Sequence, residues 1–172
     1  MKKIIVGISV FALLAFAFPV GADDTAVVSA TVTPQNISVS VSPTSVDYGT
    51  LPLSTTDLNR SMAESVVITA SNNGNVTEDF NIRGSNSTDW TLSSSPDATG
   101  TVGTDQFAHR FDAGSTFVNA EAAALDSVTY KSLSVDIVQS GNQDFVLQMN
   151  MPTSSSVTTQ QSTDVTVQAT AS

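Results

Sequence analysis

Apolar residues alternate with Ser and Thr at a period of two through most of this chain. Successive side chains of a β-strand point to opposite faces, so this period predicts strands that bury one face only. Eight such runs place the following candidate core residues on the buried faces: Val39, Val41, Val66, Ile68, Phe80, Ile82, Trp90, Leu92, Phe111, Leu133, Val135, Ile137, Phe145, Leu147, Met149, Val165 and Val167.

Turn residues close these runs at short intervals. Pro43 and Pro152 each end one, and Asn73-Gly74 predicts a hairpin, because both residues tolerate positive φ. Only Asn119–Leu125 favours a helix, of at most one or two turns. No crossover helix is available for a parallel sheet. The chain is therefore predicted to be all-β, an antiparallel sandwich of about nine strands. Uneven loop lengths disfavour a closed barrel.

The N-terminus has the layout of a secretory signal peptide. Met1-Lys2-Lys3 is basic, residues 4–18 are almost entirely apolar, and Ala22 follows small residues and precedes Asp23-Asp24. The apolar run is short for a membrane anchor, which needs about 20 residues. We expect residues 1–22 to be removed and residues 23–172 to form a single secreted or cell-surface domain, with no stable membrane insertion.

Charge and cysteine content exclude several classes of function. The chain has 16 acidic and 6 basic residues, a formal charge of −10, so phosphate backbones would repel it. We therefore expect no nucleic-acid partner. The absence of cysteine excludes disulfides, thiol nucleophiles and zinc fingers.

The sequence offers little catalytic chemistry. His109 is the only histidine, and it alternates with Phe107 and Phe111, which indicates a structural role on an apolar face. No Gly-x-Ser-x-Gly motif is present. Carboxylate pairs for glycoside cleavage have no sequence signature, so that alternative stays open. We expect no catalytic residues and no enzymatic activity.

The sequence offers candidate residues for two kinds of ligand site. Loop acids and amides could bind calcium, which prefers several oxygen ligands, although no EF-hand spacing occurs and a solvated surface explains them better. These candidates are Asn86, Asp89, Asp97, Asp105 and Asp112. We therefore expect no metal or cofactor, with calcium the only candidate. A carbohydrate-binding module would instead expose Tyr48, Trp90 and Tyr130 in a line. Four glycosylation sequons begin at Asn36, Asn59, Asn75 and Asn86.

The segment after the predicted cleavage site is an alternating strand of its own. Val28, Ala30 and Val32 share one face of residues 25–33, which Pro34 separates from the next run. This strand could pair within its own sandwich. Alternatively, these three residues could be strand donors to an open sheet edge of a neighbouring subunit, and head-to-tail donation generates a filament.

Two stretches resemble exported prokaryotic Ig-like domains of the ASH or choice-of-anchor kind. One is Val41-Ser42-Pro43-Thr44-Ser45-Val46-Asp47-Tyr48-Gly49, followed by Val66-Val67-Ile68-Thr69 and Asn72-Asn73-Gly74-Asn75. The other is the ending, from Met151-Pro152 to Ala169. The resemblance implies an Ig-like sandwich of seven to nine strands and no chemistry, although no LPxTG or WxL sorting motif appears.

These observations together favour a non-enzymatic secreted or cell-surface structural or interaction protein. Its expected partners are other surface proteins or further copies of itself. The alternatives are a subunit of an extracellular fibre assembled by N-terminal strand donation, and a carbohydrate-binding module.

Overall fold

A computed structural model describes residues 26–54, 62–94, 102–118 and 122–172. The chain divides into two units, Met1–Thr33 and Pro34–Ser172. In the first unit, residues 26–33 form neither strand nor helix, and Val27, Val28 and Val32 are 92%, 90% and 90% exposed. The predicted signal peptide, residues 1–22, lies outside the described residues.

The second unit is built from β-strands, and its described residues contain no helix. Accordingly, no helix in the described ranges has the length and apolar character needed to cross a membrane. The strands are β1 (Val39–Ser42), β2 (Met62–Glu64), β3 (Ile68–Asn72), β4 (Glu78–Gly84), β5 (Thr91–Leu92), β6 (Gln106–Ala113), β7 (Ala123–Ala124), β8 (Lys131–Ile137), β9 (Asn142–Asn150) and β10 (Val165–Ala171).

These strands form two sheets. The larger sheet has the order β1-β3-β9-β6-β5, with β2 also paired to β9 and β7 to β6; the smaller has the order β10-β4-β8. All these pairs are antiparallel except β5 with β6. The inner faces of the two sheets enclose one hydrophobic core, so the prediction of an all-β sandwich is confirmed.

Most of the predicted core residues lie in this core. The buried ones are Ile68, Phe80, Ile82, Leu92, Phe111, Leu133, Phe145 and Leu147, and the partly buried ones packed against them are Val39, Val41, Trp90, Ile137, Met149, Val165 and Val167. Ala70, Phe107 and Leu125 complete the buried cluster. Alternation therefore identified inward-facing residues in eight of the ten described strands, since β2 and β7 contain none of the predicted ones.

The prediction that Val66 is a core residue is wrong, because its side chain is 65% exposed. Glu64 of β2 pairs with Gln148, and Ile68 of β3 pairs with Phe145. From Glu64 to Ile68 the chain advances four residues, whereas their partners on β9 are only three residues apart. One extra residue therefore lies between β2 and β3. An extra residue reverses the faces of a strand, so Val66 points outward although Ile68, two residues later, points inward.

The prediction that Val135 is a core residue is also wrong, since it is 60% exposed. Glu78 of β4 pairs with Ile137, and Phe80 pairs with Ser134. The two residues of β8 are three positions apart and the two of β4 only two, so β8 contains one extra residue here. The extra residue is accommodated at Asp136, whose φ of 57° is in the left-handed region. This irregularity turns Val135 out of the core while leaving Leu133 inside.

The Asn73-Gly74 turn is not the predicted hairpin, because β3 and β4 belong to different sheets. Neither residue has positive φ. Instead, the buried Asn72 side chain organises the crossing between the sheets. Its amide nitrogen donates to the carbonyl oxygens of Val76 and Ile137, and its Oδ1 accepts from the Gly74 N–H, all at 2.8 Å.

The predicted helical turn also differs from the structure. Residues 119–121 lie outside the described part, and Ala123 and Ala124 form β7, which pairs with Phe111 and Arg110 of β6. The strand β7 thus lies beside β6 within the larger sheet. The Arg110 side chain is buried, and its Nη2 donates to the Ala122 carbonyl oxygen at 3.1 Å.

Candidate functional site

A cleft of about 1130 Å³ lies beside β10, between the sheets. Its walls are two loops, residues 43–51 and residues 157–164. Apolar side chains of the larger sheet, among them Leu147 and Met149, face it from one side, and Val165 and Val167 of β10 border it. The cleft exists because the smaller sheet has three strands, so loops rather than a fourth strand cover this part of the larger sheet.

His109 and Tyr48 form a hydrogen-bonded pair at the cleft. The His109 ring is 3% exposed, and its Nε2 shares a hydrogen bond of 2.8 Å with the Tyr48 hydroxyl. Burial lowers the pKa of His109 to about 4, so the ring is neutral near pH 7. Burial also raises the pKa of Tyr48 above its usual value. His109 lies on the same face of β6 as Phe107, as their alternation in the sequence indicated.

The three candidate carbohydrate platforms do not form one line. Tyr48 and Trp90 line the cleft, and the polar group of each is engaged within the protein, with Trp90 Nε1 donating to Ser155 Oγ at 2.9 Å. Tyr130 packs elsewhere, under the Arg83 guanidinium of β4, 4.6 Å from its ring centroid. All three are half-buried.

The candidate calcium ligands Asp89, Asp105 and Asp112 accept hydrogen bonds from loop residues. Asp105 Oδ1 accepts from the Ser156 N–H at 2.7 Å, and this bond holds the pKa of Asp105 below its usual value. Asp112 accepts from the Val118 N–H, and Asp89 from the Gln161 side chain. The described ranges contain no group of three or more potential metal-ligating acids or histidines.

Two further ligand and modification candidates, Asp97 and Asn59, lie outside the described residues. The other three sequon asparagines are exposed. Of these, Asn75 is hydrogen-bonded to the first residues of the second unit. Its Nδ2 donates to the Pro34 carbonyl oxygen and its Oδ1 accepts from the Asn36 N–H, both at 2.8 Å.

The most distinctive surface feature beside the cleft is the free edge of β10. The strand pairs with β4 on one side, from Val165 opposite Gly84 to Ala171 opposite Glu78. One step further, the Ser172 N–H donates to the Thr77 carbonyl oxygen at 3.2 Å. Along an antiparallel strand, the N–H and C=O of one residue face one neighbour, and those of the next residue face the opposite side.

This alternation fixes which backbone groups are free. Since Ser172 faces β4, the residues at even positions of β10 do so too, and those at odd positions face away. Val165, Val167, Ala169 and Ala171 thus present their N–H and C=O groups at the open edge. No other described residue of the second unit bonds to these groups. We call this row of backbone groups the β10 edge.

The opposite edge of the smaller sheet is protected and the β10 edge is not. β8 carries two register shifts and the charged residues Lys131 and Asp136, which are common devices against unwanted pairing. β10 has the sequence Val-Thr-Val-Gln-Ala-Thr-Ala, with no charge, proline or register shift along seven residues. Another β-strand could therefore form main-chain hydrogen bonds along the β10 edge.

Comparison with protein-family profiles, with curated proteins and with solved structures finds no match for this chain. The candidate site therefore rests on the geometry alone. Sequence analysis identified β10 as a strand but missed its open edge, and the signal that could have indicated it is the lack of any charged residue from Val165 to Ser172.

Proposed function

We propose that this protein is a non-enzymatic, exported structural or interaction protein that binds its partner through the β10 edge. The partner supplies a β-strand and is a second copy of this chain. The observation that carries the proposal is the uncharged seven-residue edge of β10 beside the cleft. Export is supported by the N-terminal sequence pattern, and the resemblance to exported Ig-like domains points in the same direction.

Strand addition would use both the backbone groups and the side chains of the β10 edge. The backbone groups of Val165, Val167 and Ala169 can bond to an incoming main chain, which provides affinity. The same three side chains point inward, where Val165 and Val167 border the cleft. An added strand would therefore extend the smaller sheet over the cleft, and its inward side chains would contact the apolar side chains there.

A carbohydrate-binding module is less well supported. Tyr48 and Trp90 do face the cleft, but their polar groups are already bonded to His109 and Ser155. A sugar would have to compete with these bonds. Strand addition needs no existing hydrogen bond to break, because it uses backbone groups that have no partner within the second unit.

A proline in β10 tests the proposal. Ala169→Pro removes an N–H that faces the open edge, while the bonds to β4 are kept; proline is tolerated in edge strands at such positions. The control is Ala169→Ser, which retains the N–H. We expect the chain from Asp23 and the control to self-associate in sedimentation velocity as concentration rises, and the proline variant to stay monomeric with a similar melting temperature.

Two results would contradict the proposal. One is a wild-type chain that remains monomeric throughout the concentration series. The other is an Ala169→Pro variant that associates as strongly as the control, since the interface would then not involve the β10 edge.

A further inference from the structure

We infer that the strand bound at the β10 edge is the N-terminal segment, residues 25–33, of a second copy of this chain. The inference rests on the proposed function and names the strand that binds at the same site. It starts from the β10 edge, whose outward backbone groups have no partner among the described residues of the second unit, and from residues 26–33, whose valines are about nine-tenths exposed.

The segment and the edge match in length and charge. The segment is Thr-Ala-Val-Val-Ser-Ala-Thr-Val-Thr, nine residues without charge, glycine or proline, and β10 has seven residues of the same kind. The chain contains 16 Asp and Glu residues, so a strand from elsewhere in it would often bring a negative charge to the cleft. Asp24 and Pro34 bound the segment at its two ends.

The side chains of the segment also alternate in the required way. Val28, Ala30 and Val32 fall on one face, and a strand added beside β10 would direct alternate side chains to the cleft, as β10 directs Val165 and Val167. The residues between them, such as Ser29 and Thr31, would then face solvent, as Gln168 does in β10. The apolar face is thereby removed from water and the polar face remains in it.

Strand donation from each copy to the next would produce a linear series of subunits. Each copy has one donor segment and one acceptor edge, which are different surfaces, so the interface is heterologous. Such an interface leaves an unused donor at one end of the assembly and an unused acceptor at the other. Unless the rotation between subunits closes a ring, the product is a filament.

The first test changes the donor. Val28→Asp with Val32→Asp places two charges on the face that would enter the cleft. Ser29→Asp with Thr31→Asp adds the same charge to the same segment on the opposite face, and is the matched control. All four positions are exposed in the structure, so neither variant should alter the sandwich. We expect the first pair to abolish association and the second to retain it, in sedimentation velocity and electron microscopy.

The second test combines two blocked chains. Ala169→Pro leaves a working donor and a blocked acceptor, and Val28→Asp with Val32→Asp leaves the reverse. Each alone should be monomeric, and an equimolar mixture should form a one-to-one dimer that grows no further. No simple loss of folding in either variant would produce this complementation.

The outcomes separate this inference from the proposed function. If Ala169→Pro abolishes association and the valine variant does not, the β10 edge binds a different strand and only this inference fails. If neither change affects association, the proposed function fails as well. If the wild-type chain and the mixture are both monomeric, the segment does not pair between copies and both are overturned.

Discussion

The substitution Asn72→Ala would remove the side chain that fixes the crossing between the two sheets. Asn72 is 1% exposed and makes three side-chain hydrogen bonds of 2.8 Å, to the carbonyl oxygens of Val76 and Ile137 and from the N–H of Gly74. Alanine can make none of them. The three backbone groups would lose their partners at a place where Gly74 is itself buried.

The expected cost follows from these three groups. Leaving one buried polar group unpaired costs about 1–3 kcal/mol, and rearranged water can restore part of this at the two partly buried carbonyls. We therefore expect Asn72→Ala to lower the free energy of unfolding by about 4 kcal/mol, a large share of the roughly 5–15 kcal/mol typical of a domain. The melting temperature should fall by roughly 15 °C.

Urea unfolding followed by tryptophan fluorescence measures this change, because Trp90 packs against the core. The matched control is Asn73→Ala, which removes an exposed bond to Ser40 Oγ and should change the free energy by no more than about 0.5 kcal/mol. If Asn72→Ala also costs less than about 1 kcal/mol with an unchanged m-value, the argument about this crossing is wrong.

Two further predictions concern stability. Burial lowers the pKa of His109 from its ordinary 6.5 to about 4, so the folded state favours the neutral ring. The free energy of unfolding should therefore fall by about 3 kcal/mol as the pH drops from about 6.5 to about 4. Urea titrations at several pH values measure this slope, and a His109→Gln variant with the same slope would refute its assignment to His109. Gly74→Ala would place its Cβ against Glu78 Oε1 and the Asn36 carbonyl oxygen, and should lower the free energy of unfolding by about 1–3 kcal/mol. A Gly74→Ala protein that melts at the wild-type temperature would contradict the close approach.

Much of the fold could be predicted from the sequence because alternation is a local signal. It identified the inward faces of β4 and β9, where Phe80, Ile82, Phe145 and Leu147 are buried. It failed at Val66 and Val135, where an extra residue reverses the face of the strand. Such irregularities depend on the pairing partner, so no pattern within a single strand indicates them.

The same limit applies to the hairpin and to the candidate site. The Asn73-Gly74 turn is locally suited to a hairpin, but the pairing of β3 with β9 and of β4 with β10 places its two strands in different sheets. Likewise, the alternation of Val165 and Val167 predicts a strand and not its place at an edge. Which strands are edges is decided by long-range pairing, and only the structure contains that information.

Amide hydrogen exchange of β10 reports directly on whether a strand binds at its open edge. In the chain carrying Val28→Asp and Val32→Asp, we expect rapid exchange at the Val167 and Ala169 amides and slow exchange at Thr166 and Gln168, which face β4. In the assembled wild-type chain, all four amides should be protected. Val167 and Ala169 amides that exchange equally fast in both samples would contradict the claim that a strand binds at the β10 edge.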